Sequence, residues 1–136
     1  MYNRGILFGS FDIWHPGYSI MIKQSKKYCQ ELIVGLQLSN EDKNIVNNIH
    51  DRFLVLKSIE DIDEIAIYNT DNELCNLLMF YNPDVRFLGD DYKNNEEKIV
   101  GYSLCNNIKF LNRSHNYSTT NYKNKIKGDI LWVQWN

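Results

Sequence analysis

Residues 5–18 read Gly5-Ile6-Leu7-Phe8-Gly9-Ser10-Phe11-Asp12-Ile13-Trp14-His15-Pro16-Gly17-Tyr18. Gly5 to Phe8 is a short apolar run of the kind found in buried strands. From Tyr18 onward the period changes. Tyr18, Met21, Ile22, Ser25, Tyr28 and Cys29 fall at i, i+3, i+4, i+7, i+10 and i+11, which describes one helix face. A strand therefore enters a glycine-containing turn that leads directly into a helix.

The same alternation repeats along the chain. Leu32 to Leu38, Ile65 to Tyr68, Val85 to Leu88 and Ile108 to Leu111 are further strand-like runs. A second helix fits Ile49 to Ile59 and a third Asp71 to Phe80, where Thr70 and Glu73 have capping-box spacing and Pro83 closes the helix. Strand and helix alternating about five times predicts an α/β, Rossmann-like doubly wound sheet of about five parallel strands with helices on both faces. Ligands of such sheets bind outside the carboxyl ends of the strands. Residues 1–127 form one domain in this reading. Residues 128–136 (GDILWVQWN) form a C-terminal tail, expected as an edge strand or a dimer contact.

Composition narrows the function classes. The 136 residues carry 15 Lys+Arg against 17 Asp+Glu, a net charge of −2. That leaves no basic excess to neutralise a nucleic-acid backbone. No apolar run approaches the roughly 20 residues of a membrane span, so a cytoplasmic protein with neither a nucleic-acid nor a membrane partner is expected. Cys29, Cys75 and Cys105 are odd in number and lack zinc spacing, and they read as free thiols.

The turn between Gly9 and Tyr18 is where chemistry is expected. A helix N-terminus offers unpaired N–H groups and a positive dipole end to phosphate. His15 sits there as a donor to phosphoryl oxygens, and Gly9 and Gly17 let the backbone approach a ligand. Asp12 either orients this turn or holds a cation.

The pattern G-S-F-D-x-x-H-x-G-Y over Gly9, Ser10, Phe11, Asp12, His15, Gly17 and Tyr18 resembles the G-x-F-D-x-x-H-x-G-H signature of HxGH-type nucleotidyltransferases, glycerol-3-phosphate cytidylyltransferases in particular. The likeness runs from about Gly5 to Ile126. His50-Asp51-Arg52 is similar to the family's H-E-R segment, Gly89-Asp90-Asp91-Tyr92 to its G-D-D-W, and Arg113 with Ser118-Thr119-Thr120 to its R-x-x-x-x-S-T-T.

The resemblance implies transfer of a cytidylyl group from CTP to a small phosphorylated alcohol such as glycerol 3-phosphate. Pyrophosphate would leave, Mg²⁺ would accompany the triphosphate, and the assembly would be a homodimer, with no protein side chains assigned as metal ligands. By the same likeness His15 and the backbone at Gly17 and Tyr18 cradle phosphates. Arg113 forks onto the triphosphate, Arg52 contacts nucleotide, Gly89 to Asp91 face the nucleoside, and Ser118 to Thr120 form a second anion site.

Two departures stand out. Tyr18 replaces the second signature histidine, a neutral phenol in place of an ionisable donor, with His115 a candidate substitute. The loop Ser39 to Asn48 is short and has Lys43 as its single cation. An adenylyltransferase acting on a sugar phosphate and a non-catalytic nucleotide-binding protein stand beside the main reading.

Overall fold

The computed structural model describes residues 1–39, 44–112 and 117–134. Five strands, β1 (Tyr2–Gly9), β2 (Cys29–Gln37), β3 (Glu64–Tyr68), β4 (Val85–Gly89) and β5 (Ile108–Leu111), form one parallel sheet in the order β3-β2-β1-β4-β5. Helices α1 (Pro16–Lys26), α2 (Ile49–Lys57), α3 (Asp71–Tyr81) and α4 (Thr119–Gln134) complete the fold. The chain steps outward from β1 to β2 and β3, then returns across β1 to β4. The carboxyl ends of β1 and β4 therefore flank the topological switch point, where doubly wound sheets hold their ligands.

Successive strand residues serve opposite faces of the sheet. Leu7, Val34, Val85 and Phe87 pack with Ile22, Leu32 and Leu56 in one buried cluster. Ile6 and Ile33 pack with Leu74, Leu78 and Cys105 in another. Gly35 of β2 lies in register with Phe8 of β1. A Cβ placed on Gly35 would come within 2.2 Å of the Phe8 ring, so that ring occupies the space a side chain would take. All three cysteines are free thiols.

The strand expectations agree with the structure to within a few residues. In α3, the Thr70 hydroxyl accepts the Glu73 amide at 3.1 Å, and Asn82 at φ 44° ends the helix.

Two expectations are corrected. The helical period expected to run through Tyr28 and Cys29 stops at Lys26, and Cys29 opens β2. A strand buried on both faces begins with the same apolar residues that would continue a helix stripe, so periodicity could not separate the two. The C-terminal segment is not an edge strand either: α4 runs on through Gly128 to Gln134. Glycine inside a helix costs only about 1 kcal/mol, too little to end it. No helix of the described residues is long and apolar enough to cross a membrane.

Candidate active site

The turn from β1 to α1 is built around His15, the N-cap of α1. Its backbone is extended, and Pro16 follows at the first helical position, where a fixed φ and a missing N–H cost nothing. The His15 Nδ1 accepts the Gly17 amide at 3.1 Å, and the His15 carbonyl accepts the Tyr18 amide at 3.0 Å. An Nδ1 that accepts leaves the ring proton of the neutral imidazole on Nε2. The turn thus fixes one tautomer and one N–H donor.

The imidazole is 3% exposed, with Tyr18 stacked on it at 4.0 Å and Tyr122 of α4 nearly parallel at 5.5 Å. Tyr18 also meets Phe11 and Trp14, each at 5.2 Å between ring centroids. Phe11 and Ile13 adopt positive φ, at 49° and 43°. Left-handed backbone in a β-branched residue such as Ile13 is rare, and it marks a turn held in shape by its surroundings.

Those surroundings are Asp12 and Arg52. The buried Asp12 carboxylate accepts the Val46 amide at 2.7 Å and the Asn47 amide at 2.9 Å, and it pairs with Lys123 of α4 at 3.2 Å. Burial alone would push its pKa up, but the two amides and the lysine overcome this and hold it below the ordinary carboxylate value. Lys123 also donates to the Asn44 carbonyl.

Arg52 opens its fork onto backbone carbonyls. Nε donates to Asn47 at 2.9 Å, Nη1 to Ser10 at 2.9 Å and to Gln37 at 2.6 Å, and Nη2 to Leu38 at 2.7 Å. Together Asp12 and Arg52 bind the ends of β1 and β2, the segment before α2, and α4 to one another.

Between the ends of β1 and β4 opens a cleft of about 380 Å³. Gly9, Ser10, Phe11, Tyr18 and Gly89 line it. Phe8, Tyr68, Arg86 and Lys98 line it as well.

The cytidylyltransferase-like family matches residues 6–125. The chain belongs to this family. It is a member of the HxGH nucleotidyltransferase superfamily.

Among curated relatives, the bifunctional protein HldE of Campylobacter fetus subsp. fetus is 34% identical over 126 residues, 88% of this chain and 27% of that protein. The chain spans about a quarter of the length of the curated relatives it matches. Among solved structures, a lipopolysaccharide core biosynthesis protein from Thermoplasma volcanium is similar with a TM-score of 0.66 at 22% identity, covering 87% of this chain and all of that one. The nicotinic acid mononucleotide adenylyltransferase of Plasmodium falciparum, complexed with NaAD, follows at 0.54 and 15%, covering 90% and 80%. These two likenesses show the fold.

In this cytidylyltransferase-like chain, the residues expected at the site divide into groups. Gly9, Ser10, Phe11, Tyr18 and Gly89 meet on the cleft wall. Asp90 and Asp91 are exposed and start the short 3-10 turn Asp90–Tyr92. Asp12 and Arg52 frame the turn, the Asp12 carboxylate held by two amides and Lys123. Arg52 was expected to contact nucleotide, yet four N–H bonds of its guanidinium already go to carbonyls. The amides of Gly17 and Tyr18, expected to face phosphate, are engaged within the turn, because Pro16 has no N–H and the imidazole serves as the cap.

Ser118 caps α4 by accepting the Asn121 amide at 3.0 Å, and Thr120 is exposed on its first turn. The side chain of Thr119, and Lys43, Arg113 and His115, lie outside the described residues. Sequence reasoning missed Arg86, Tyr122 and Lys123. Only Arg86 left a signal, a charge inside an otherwise apolar strand.

Proposed function

We propose that this chain transfers a nucleotidyl group, adenylyl first, from a nucleoside triphosphate to the phosphate of a small phosphorylated sugar or alcohol. An acceptor phosphate oxygen attacks the α-phosphorus. The new P–O bond forms as the bond from the α-phosphorus to the bridging oxygen breaks, and pyrophosphate leaves with the electron pair. Chemistry of this kind asks the protein for position and preorganised donors more than for covalent help.

One observation carries the reading: His15 is fixed by its own helix cap, Nδ1 accepting the Gly17 amide, in the turn that leaves β1 at the switch point of the sheet. A donor locked before substrate arrives needs no reorganisation as charge grows on the phosphoryl oxygens. Tyr18 supports the imidazole by stacking and itself lines the cleft. Mg²⁺, when bound with the triphosphate, neutralises phosphate oxygens. Among the described residues no three His, Cys, Asp or Glu side chains group together, and Asp12 is engaged by two amides and a lysine. This arrangement suits a hard cation held chiefly by phosphate and water.

The likeness to HldE, to a lipopolysaccharide core biosynthesis protein and to an adenylyltransferase supports an adenylyl donor and a sugar phosphate acceptor. The Gly89-Asp90-Asp91 and Arg113 matches favour cytidylyl transfer as the second reading. Pyrophosphate release measured with ATP and with CTP over a panel of sugar and polyol phosphates tests both. Release with ATP supports the first and release with CTP alone the second. Nucleotide binding with no release from any acceptor leaves a binding protein and overturns both. The homodimer expectation rests on the family resemblance and on the apolar C-terminal segment, whose side chains lie outside the described residues.

A further inference from the structure

Arg86 lies in β4, an interior strand between β1 and β5, and is 4% exposed. Its guanidinium sits over the Phe8 ring at 4.9 Å, and Nη1 donates to the Val100 carbonyl at 2.5 Å. Nε is buried with no hydrogen-bond partner among the described residues. No described carboxylate forms an ion pair with it. Burial pulls its pKa down, because the charged form is costly away from water. A buried guanidinium with one carbonyl bond and no counter-ion among the described residues is an incomplete arrangement. Hydrophobic residues would have filled the same volume without the desolvation cost.

The cleft supplies the missing partner's place. Arg86 lines it together with Phe8, Tyr68, Tyr92 and Lys98, on the side of the sheet facing α3, whereas His15 caps α1. Tyr68 is T-stacked on Phe8 at 5.5 Å, and its phenol is pushed up to about 12 by burial, so it stays a protonated donor. The wall thus presents a guanidinium and a phenol, with Lys98 at its rim, and a planar fork matches an oxyanion bidentately.

We propose that Arg86 is the oxyanion-recognising residue of the acceptor subsite, where it holds the phosphate of the phosphorylated acceptor apart from the triphosphate at His15. The inference rests on the nucleotidyl transfer reading for the identity of the acceptor. The anion site itself can be tested without turnover.

The probe is inorganic phosphate, titrated into the full chain in the presence of saturating α,β-methylene-ATP and followed by the Arg Nε–H resonances. A saturable shift of the Arg86 resonance is expected in the wild-type protein. Phosphate affinity should fall at least tenfold in Arg86→Met, recover in part in Arg86→Lys, and leave affinity for the ATP analogue within twofold. An Arg86 resonance indifferent to phosphate in the wild-type protein overturns the proposal even if the variants do not fold. So does equal phosphate affinity in Arg86→Met, or a loss confined to the ATP analogue. Phosphate binding without transfer to any acceptor would instead count against the proposed reaction and leave the anion site standing.

Discussion

Arg52 and Arg86 are both almost wholly buried, at 2% and 4% exposure, and they are held in opposite ways. Arg52 meets four backbone bonds on carbonyls from three segments, and nothing about it is unfinished. Among the described residues Arg86 has one carbonyl, an aromatic face and an unpartnered Nε. The same side chain serves as a structural clamp in one place and faces an open cleft in the other. What separates the two is the accounting of donors, since burial and charge are nearly equal.

The sharpest way to break this contrast is to remove both. Arg52→Ala leaves buried carbonyls without donors and should cost about 3 kcal/mol or more of stability. Arg52→Lys should recover little, because an ammonium cannot span four carbonyls. Arg86→Met should change stability by no more than about 1 kcal/mol, since apolar replacements of buried charges are often neutral. Denaturant unfolding of the three variants decides; comparable losses at both positions would erase the distinction.

A catalytic loss follows next in size. His15→Ala should lower turnover about 100- to 1,000-fold, the usual effect of removing one preorganised donor. Its circular dichroism should be native. Turnover within a few-fold of wild type would return His15 to the role of a helix cap.

Acid sharpens the clamp side of the comparison. Because the Asp12 pKa is lowered in the fold, its contribution is complete above the ordinary value of 3.8 and is lost as pH falls through the folded value. Asp12→Asn should therefore cost about 1.5 to 3 kcal/mol at pH 7, as for hydrogen bonds to a charged group. The cost should shrink in urea melts as pH falls through the folded value. A pH-independent difference would mean that shape and not charge holds the turn.

The smallest effect concerns the turn backbone. Ile13→Gly relieves a left-handed β-branched residue, worth roughly 1 to 2 kcal/mol, against about 1 kcal/mol of added chain entropy. A net gain of up to about 1 kcal/mol is expected by thermal melt, and a loss would show that Ile13 packing outweighs its strain.

Strand positions were legible because parallel strands buried on both faces appear as unbroken apolar runs. The same property hid Arg86, read as one polar letter within Val85 to Leu88, and it let Tyr28 and Cys29 extend a helix that had already ended. His15 was legible as a helix-start residue, but its cap bond was not, since nothing local says that an imidazole will replace a serine or aspartate there. Tyr122 and Lys123 were beyond reach for another reason. Their partners His15 and Asp12 lie at the opposite end of the chain, and only the docking of α4 brings them together.

The missing side chain of Gly35 and the ring of Phe8 amount to one packing unit divided between two strands. The ring rests on bare backbone of β2, and in that position it supports the guanidinium of Arg86 and the edge of Tyr68. Neither position can change size alone: any residue larger than glycine at 35 would evict the ring and tilt the platform beneath the anion. Relatives of this chain with a side chain at 35 should therefore carry a smaller residue at 8, and with it a reshaped pocket and a different preference in what the pocket accepts.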